Sequence, residues 1–199
     1  SFFDIYYAKG EKVDFSKVDE IKKAGSGKYH DAVTAFTQDG KTVYFTRNNS
    51  VKNKLQKGTD NVVKQGIYQS TVDGKKWEDL KALKINNANY DVAHPALSPD
   101  GNTLYFSSNK PGGKGGMDLY AAQKSGDEFG EPVNLTALNS EGDELFPSVD
   151  KDGNLYFDLE KFSKSNNYGI LSGRTLDDQL DNTRYLDGKE EKKGRLDFA

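Results

Sequence analysis

Aromatic and β-branched residues alternate with polar ones in short runs along this chain. Turn residues bound each run, so the pattern predicts strands rather than helices. Three segments share one grammar: Ala35-Phe-Thr-Gln-Asp-Gly-Lys-Thr-Val-Tyr-Phe-Thr46, Ala96-Leu-Ser-Pro-Asp-Gly-Asn-Thr-Leu-Tyr-Phe-Ser107 and Ser148-Val-Asp-Lys-Asp-Gly-Asn-Leu-Tyr-Phe157. Their Asp-Gly pairs stand at 39/40, 100/101 and 152/153. A second marker trails each segment, at Gly66-Ile-Tyr68, Asp118-Leu-Tyr120 and, more weakly, Tyr168-Gly-Ile170. One further copy, Asp4-Ile-Tyr-Tyr-Ala8, opens the chain without an Asp-Gly unit before it.

Each Asp-Gly pair predicts a tight hairpin turn, because glycine accepts positive φ and aspartate bonds nearby amides. One unit is then two strands about that turn, a variable loop, a third strand at the Ile/Leu-Tyr marker and a fourth strand. Trp77–Ala82 and Glu131–Leu135 read as fourth strands. Four antiparallel strands repeated in tandem describe an all-β fold, a β-propeller of four-stranded blades. A sandwich with coincidental hairpins would not repeat its aromatic pairs in phase. The expected units are a partial one near 1–28, then 29–85, 86–138 and 139–172, about three and a half blades of a larger ring. The first copy offers only Asp4–Ala8 and a strand near Val13–Val18. Residues 173–199 resist assignment and read as last strands or a linker; the charged run Asp187–Gly194 reads as a solvated loop or tail.

Composition narrows the function classes. Hydrophobic residues are 34% of the 199, yet aromatics are 12%, too many for a disordered chain. A net charge of −3 argues against nucleic acid or an anionic membrane surface as a dedicated partner. With no cysteine there is no disulfide, no thiolate metal site and no cysteine nucleophile. No stretch reaches the roughly 18–20 apolar residues of a membrane helix, so no direct membrane insertion by this chain is expected. The chain opens at Ser1, which fits a removed leader or upstream domain as well as trimmed ends.

Catalytic signals are weak. His30 and His94 are the two histidines; Phe146 takes the place of His94 in the next unit, so packing is the better role for His94. His30 stands where Asp91 and Asp143 stand in the later units. There is no Gly-x-Ser-x-Gly elbow. Asp150-Lys-Asp-Gly-Asn154 looks superficially like a calcium loop but lacks the closing glutamate, and a hairpin turn accounts for it. Pro111-Gly-Gly-Lys-Gly-Gly116 fails the phosphate-loop pattern at Gly115 and lies between strands, where it reads as a flexible connection. The Tyr-Phe pairs at 44/45, 105/106 and 156/157 read as core, one ring on each face of the strand. No cofactor and no metal site are expected, and the chain reads as a non-enzyme.

Topology supplies the binding hypothesis. In a propeller the loops between second and third strands and between blades open on one face, opposite the Asp-Gly hairpins. That loop face would collect Arg47, Asn48, Asn49, Asp91, His94, Asn109, Lys110 and Asp143 as binding residues. Its long first loop, 48–65, carries lysines 52, 54, 57 and 64. Such a mixed polar surface suits protein or glycan recognition more than chemistry.

The motifs together resemble a known family, the TolB-like propeller repeats found in OmpA-family outer-membrane proteins of Bacteroidetes-type bacteria. The resemblance covers roughly Ser1 to Phe157. Its carriers are the run Phe36–Asn49, His94-Pro-Ala-Leu-Ser-Pro-Asp-Gly101, Leu104–Gly113, Gly115-Gly-Met-Asp-Leu-Tyr120, Pro132-Val-Asn-Leu135 and Gly142-Asp-Glu-Leu-Phe-Pro147. It implies a periplasmic, outer-membrane-associated setting, envelope proteins as partners and, in some members, secretion or gliding machinery. The family's peptidoglycan-binding activity belongs to a domain these residues do not contain. The function expected is therefore a protein-interaction scaffold. A glycan- or peptidoglycan-binding module, or the propeller of a peptidase whose catalytic domain lies elsewhere, are the alternatives. The charged, glycine-free stretch 158–167 departs from the repeat, where a Ser- and Gly-rich loop is expected.

Overall fold

The structure is a computed structural model that describes residues 4–8, 18–23, 29–160, 168–174, 183–185 and 191–192. All regular structure among them is strand. β1 (Tyr6–Ala8) pairs antiparallel with β2 (Val18–Glu20), and β3 (Lys22–Lys23) follows directly. Of the strand expected near 13–18, only Val18 lies within the described residues. The first full blade contains β4 (Asp31–Phe36) and β5 (Thr42–Asn48), then a small hairpin of β6 (Ser50–Val51) and β7 (Lys54–Leu55), then β8 (Gln65–Asp73) and β9 (Lys76–Ala82). The second contains β10 (Val92–Leu97), β11 (Thr103–Ser108), β12 (Asp118–Ser125), β13 (Glu128–Phe129) and β14 (Val133–Asn134). The third contains β15 (Asp143–Val149), β16 (Asn154–Glu160), β17 (Tyr168–Arg174), β18 (Thr183–Tyr185) and β19 (Glu191–Lys192). The chain is an all-β partial propeller of antiparallel blades. Residues 183–185 and 191–192, in the stretch that resists assignment from sequence, pair into the third sheet.

Within a blade the meander order places one strand innermost and the others outward. The innermost strands β4, β10 and β15 stand side by side, with β10 against both neighbours. Alternation then sorts the side chains by blade face. Val43 and Phe45 pack with Tyr68, Trp77 and Ile21 on one side of the first blade. Tyr44 and Ile67 pack on the other side, against Leu104, Phe106 and Tyr120 of the second. Tyr105, Leu119 and Ala121 turn toward Leu155 and Phe157 of the third. Both rings of the first two Tyr-Phe pairs are buried, as a core role requires.

Three details depart from the sequence-based expectation. The fourth strand of the second blade is split, because Gly130 and Pro132 interrupt it and proline has no N–H for the ladder. The Asp-Gly turn is wider than a two-residue hairpin. Thr37 N donates to Thr42 O across the turn, and Gly40 alone of the Asp-Gly pair takes positive φ, at 67°. Asp39 instead holds the turn through its side chain, accepting from Lys41 N and Thr37 Oγ1. Finally, β3 adds to the outer edge of the first blade by pairing parallel to β9 at Lys76 and Trp77. Ile21 beside it is 2% exposed.

Candidate binding site

The innermost strands each carry a bulge at the same repeat position, where the register shifts against the second strand. Val33, His94 and Phe146 occupy these bulges with φ of 41°, 57° and 50°. Side chains other than glycine are costly there, and neighbouring blades supply the compensation. His94 N donates to Thr46 Oγ1 of the first blade, and Phe146 N reaches His94 Nδ1 at 3.5 Å. The His94 and Phe146 rings stack with centroids 4.1 Å apart. Burial brings His94 down to about 4, so the imidazole is neutral at ordinary pH and its Nδ1 stays an acceptor.

The polar residues of the loop face are engaged in holding strands and blades together. Arg47 is buried, donating from Nε to Asp31 Oδ1 at 2.5 Å and from Nη2 to Asp31 Oδ2 at 2.6 Å. Its guanidinium lies over the ring of Tyr29 at 5.1 Å. Asn48 Oδ1 accepts from His30 N, and Asn109 Oδ1 accepts from Asp91 N, one device used twice. A second device clamps blades: Asp91 Oδ1 accepts from Gln65 N, and Asp143 Oδ1 from Met117 N. Asn49 is buried and donates to Asn87 O. Lys110 accepts from the Tyr120 hydroxyl through its carbonyl. The structure therefore brings Asp91 and Asn109 into direct contact and distributes the other expected residues over separate junctions; His94 sits apart from them in its bulge. In the long loop, Lys64 pairs with Asp60 at 2.5 Å and Lys57 donates to Asn61 Oδ1.

Asp118 was not singled out by the sequence, yet it explains the glycine run. Its carboxylate accepts from Lys114 N and Gly115 N, filling the amide cradle that a phosphate would need. The loop is thus tied down rather than a flexible connection. A Cβ on Gly115 would lie 1.9 Å from Gly142 O, so glycine is required by close approach to the next blade's entry segment. Asp150 is equally occupied. It accepts from Asp152 N, Asn154 N, Asn154 Nδ2 and the Tyr156 hydroxyl, bonds that hold it down at about 2. No group of three His, Cys, Asp or Glu side chains suited to a metal occurs among the described residues.

Open surface lies elsewhere. A cavity of about 610 Å³ runs along the three innermost strands toward the Asp-Gly turns, opposite the loop face. Its walls include Val33, Phe36, Pro95, Leu97, Phe146 and Pro147. Phe36 is 48% exposed and Phe146 46%. Sequence reasoning missed this groove because its residues are far apart in the chain; the repeated bulge position was the available signal.

No family model matches the chain. One stretch of 52 residues is 52% identical to cysteine–tRNA ligase of Parabacteroides distasonis, covering 26% of this chain. The chain spans 11% of that ligase's length. Among solved structures, TolB from Acinetobacter baumannii superposes over 81% of this chain and 33% of its own, with TM-score 0.52 and 18% identity. A gluconolactonase from Xanthomonas campestris covers 80% of this chain and 49% of its own, with TM-score 0.50 and 18% identity. At this identity the likeness is one of fold, and it agrees with a partial TolB-like propeller.

Proposed function

We propose that this chain is a non-catalytic β-propeller scaffold that holds a protein partner in the bacterial cell envelope. The observation that carries the reading is the groove of the innermost strands, where two half-exposed phenylalanine rings and Pro95, Leu97 and Pro147 form an apolar strip edged by polar residues such as Gln38 and Lys151. Exposed apolar area of this kind favours a protein partner. Most loop-face polar groups, by contrast, already bond within their own blade, and Asn49, Asp91 and Asp143 bond across to a neighbouring one. The motifs shared with OmpA-family proteins support an outer-membrane-associated, periplasmic setting, with secretion or gliding machinery as the partner class. A non-enzymatic role is supported by the neutral, ring-stacked His94 and by the saturated carboxylates of Asp118 and Asp150.

The test compares the wild-type chain with Phe36→Ser/Phe146→Ser as bait in envelope extract, circular dichroism confirming the fold of both. The reading expects a defined protein captured by the wild type and lost by the variant. Equal capture by both contradicts it. Retention on cell-wall sugars, abolished by Phe146→Ser with no protein captured, favours the glycan alternative instead, since the half-exposed ring stacked on His94 also suits a sugar face.

A further inference from the structure

Asp31, Val92 and Glu144 occupy one repeat position, two residues before the bulge of each innermost strand. Their partners on the second strand are Arg47, Ser108 and Leu159. The first blade thus buries an acid beside its cation, and the second places no charge there. The third keeps the acid and puts leucine where the cation would stand. Glu144 is 0% exposed. It faces the second blade, as its register partner Leu159 does. Its Oε1 accepts from Ser140 N and Ser140 Oγ, whereas its buried Oε2 has no hydrogen-bond partner.

The surroundings do not neutralise a negative charge. The charges that act on Glu144 are those of Asp118 on β12 and Asp143 on its own strand, both acidic. β16 turns Leu155, Phe157 and Leu159 to the junction, and β11 turns Tyr105. Asp158 of β16 pairs with Leu145 and is exposed, on the face opposite Leu159. β10 brings His94, which burial keeps neutral. The Lys114 ammonium is held by the carbonyls of Thr136 and Asn139. A carboxylate buried without a counter-charge is far costlier than the neutral acid. Burial pushes the Glu144 carboxyl above its ordinary 4.5; the bonds from Ser140 oppose this, and the two acids reinforce it.

Glu144 also stands in the seam between the second and third blades. Glu144 N donates to Met117 O, Gly116 N to Gly142 O, and Met117 N to Asp143 Oδ1. We propose that Glu144 is a proton-operated latch: as the neutral acid it holds this seam closed, and on ionising it loosens residues 142–144 from 116–117. A group that the folded chain keeps protonated stabilises on the acid side. Its contribution is complete below about 4.5 and is lost as pH rises through the folded value. The sense is opposite to that of His94, whose folded form is the neutral base. The latch does not rest on the scaffold reading.

The experiment is carbon-13 NMR of the Glu144 carboxyl in the intact chain from about pH 3 to about pH 8, with amide hydrogen exchange at Gly116, Met117 and Glu144 over the same range. The carboxyl should titrate above 4.5, and Ser140→Ala, which removes one opposing bond, should move the midpoint further up. Opening of the three amides, taken as the ratio of wild type to Glu144→Gln, should rise about tenfold per pH unit between 4.5 and that midpoint and then level off. Amides of β5 should show no such rise. If Glu144→Gln does not fold, Glu144→Val, which copies Val92, takes its place. A carboxyl midpoint at or below 4.5 overturns the proposal without any variant. Seam amides that open with the same pH dependence in wild type and variant overturn it as well.

Discussion

Arg47 and Asp31 are joined by two short bonds with side chains 4% and 0% exposed. Removing one partner of such a pair strands the other charge in the core, at a cost of about 3–5 kcal/mol. Arg47→Ala should therefore lower the urea midpoint severely. The second blade shows that the charges are dispensable, since Val92 and Ser108 stand at the matching positions. Asp31→Val/Arg47→Met should recover more than half of the single-variant loss in the same unfolding measurement. From sequence, Arg47 reads as a loop-face ligand, because its partner lies on the neighbouring strand and only the register Asp31↔Arg47 unites them. His94 has a pH signature. Its folded value of about 4 lies below the ordinary 6.5, so the unfolded chain takes up a proton that the folded chain refuses. Stability should fall as pH drops from about 6.5 to about 4, by at most about 3 kcal/mol, and gain no further loss from this group below that. His94→Phe, which copies Phe146, should flatten that part of the melting temperature against pH profile.

At the scale of elements, the outer edge of the first blade depends on a strap. β3 continues the sheet beyond β9, and Ile21 seals Val43, Phe45 and Trp77 beneath it. Ile21→Ala should cost about 2–5 kcal/mol by chemical denaturation. It should also speed amide exchange at Lys76 and Trp77 before it affects β5. The hairpins and aromatic pairs that build each blade were legible because they are local and repeat in phase. The strap was not, since two lysines carry no strand signal and their pairing is parallel to a strand over 50 residues away. The split fourth strand of the second blade does carry a signal in Pro132, which the repeat alignment of Glu131–Leu135 overrides.

Across the whole molecule, repetition specifies the propeller, whereas its open surfaces arise only when blades meet. The groove needs Phe36, Pro95 and Phe146 from three units, and no window of sequence contains them together. Polar residues of the loop face look available in one dimension, while in three dimensions Asp91 and Asp143 each cap the preceding blade. Under the proposed scaffold function, recognition sits in the groove on the Asp-Gly side, and the loop face is the competing surface. Site-specific photo-cross-linking tests this most directly, with the photoreactive residue placed at Phe36 in one protein and at Asn109 in another, both exposed to the same envelope extract. Adducts to a defined protein from position 36 and none from position 109 are predicted. Adducts from position 109 alone would contradict the account.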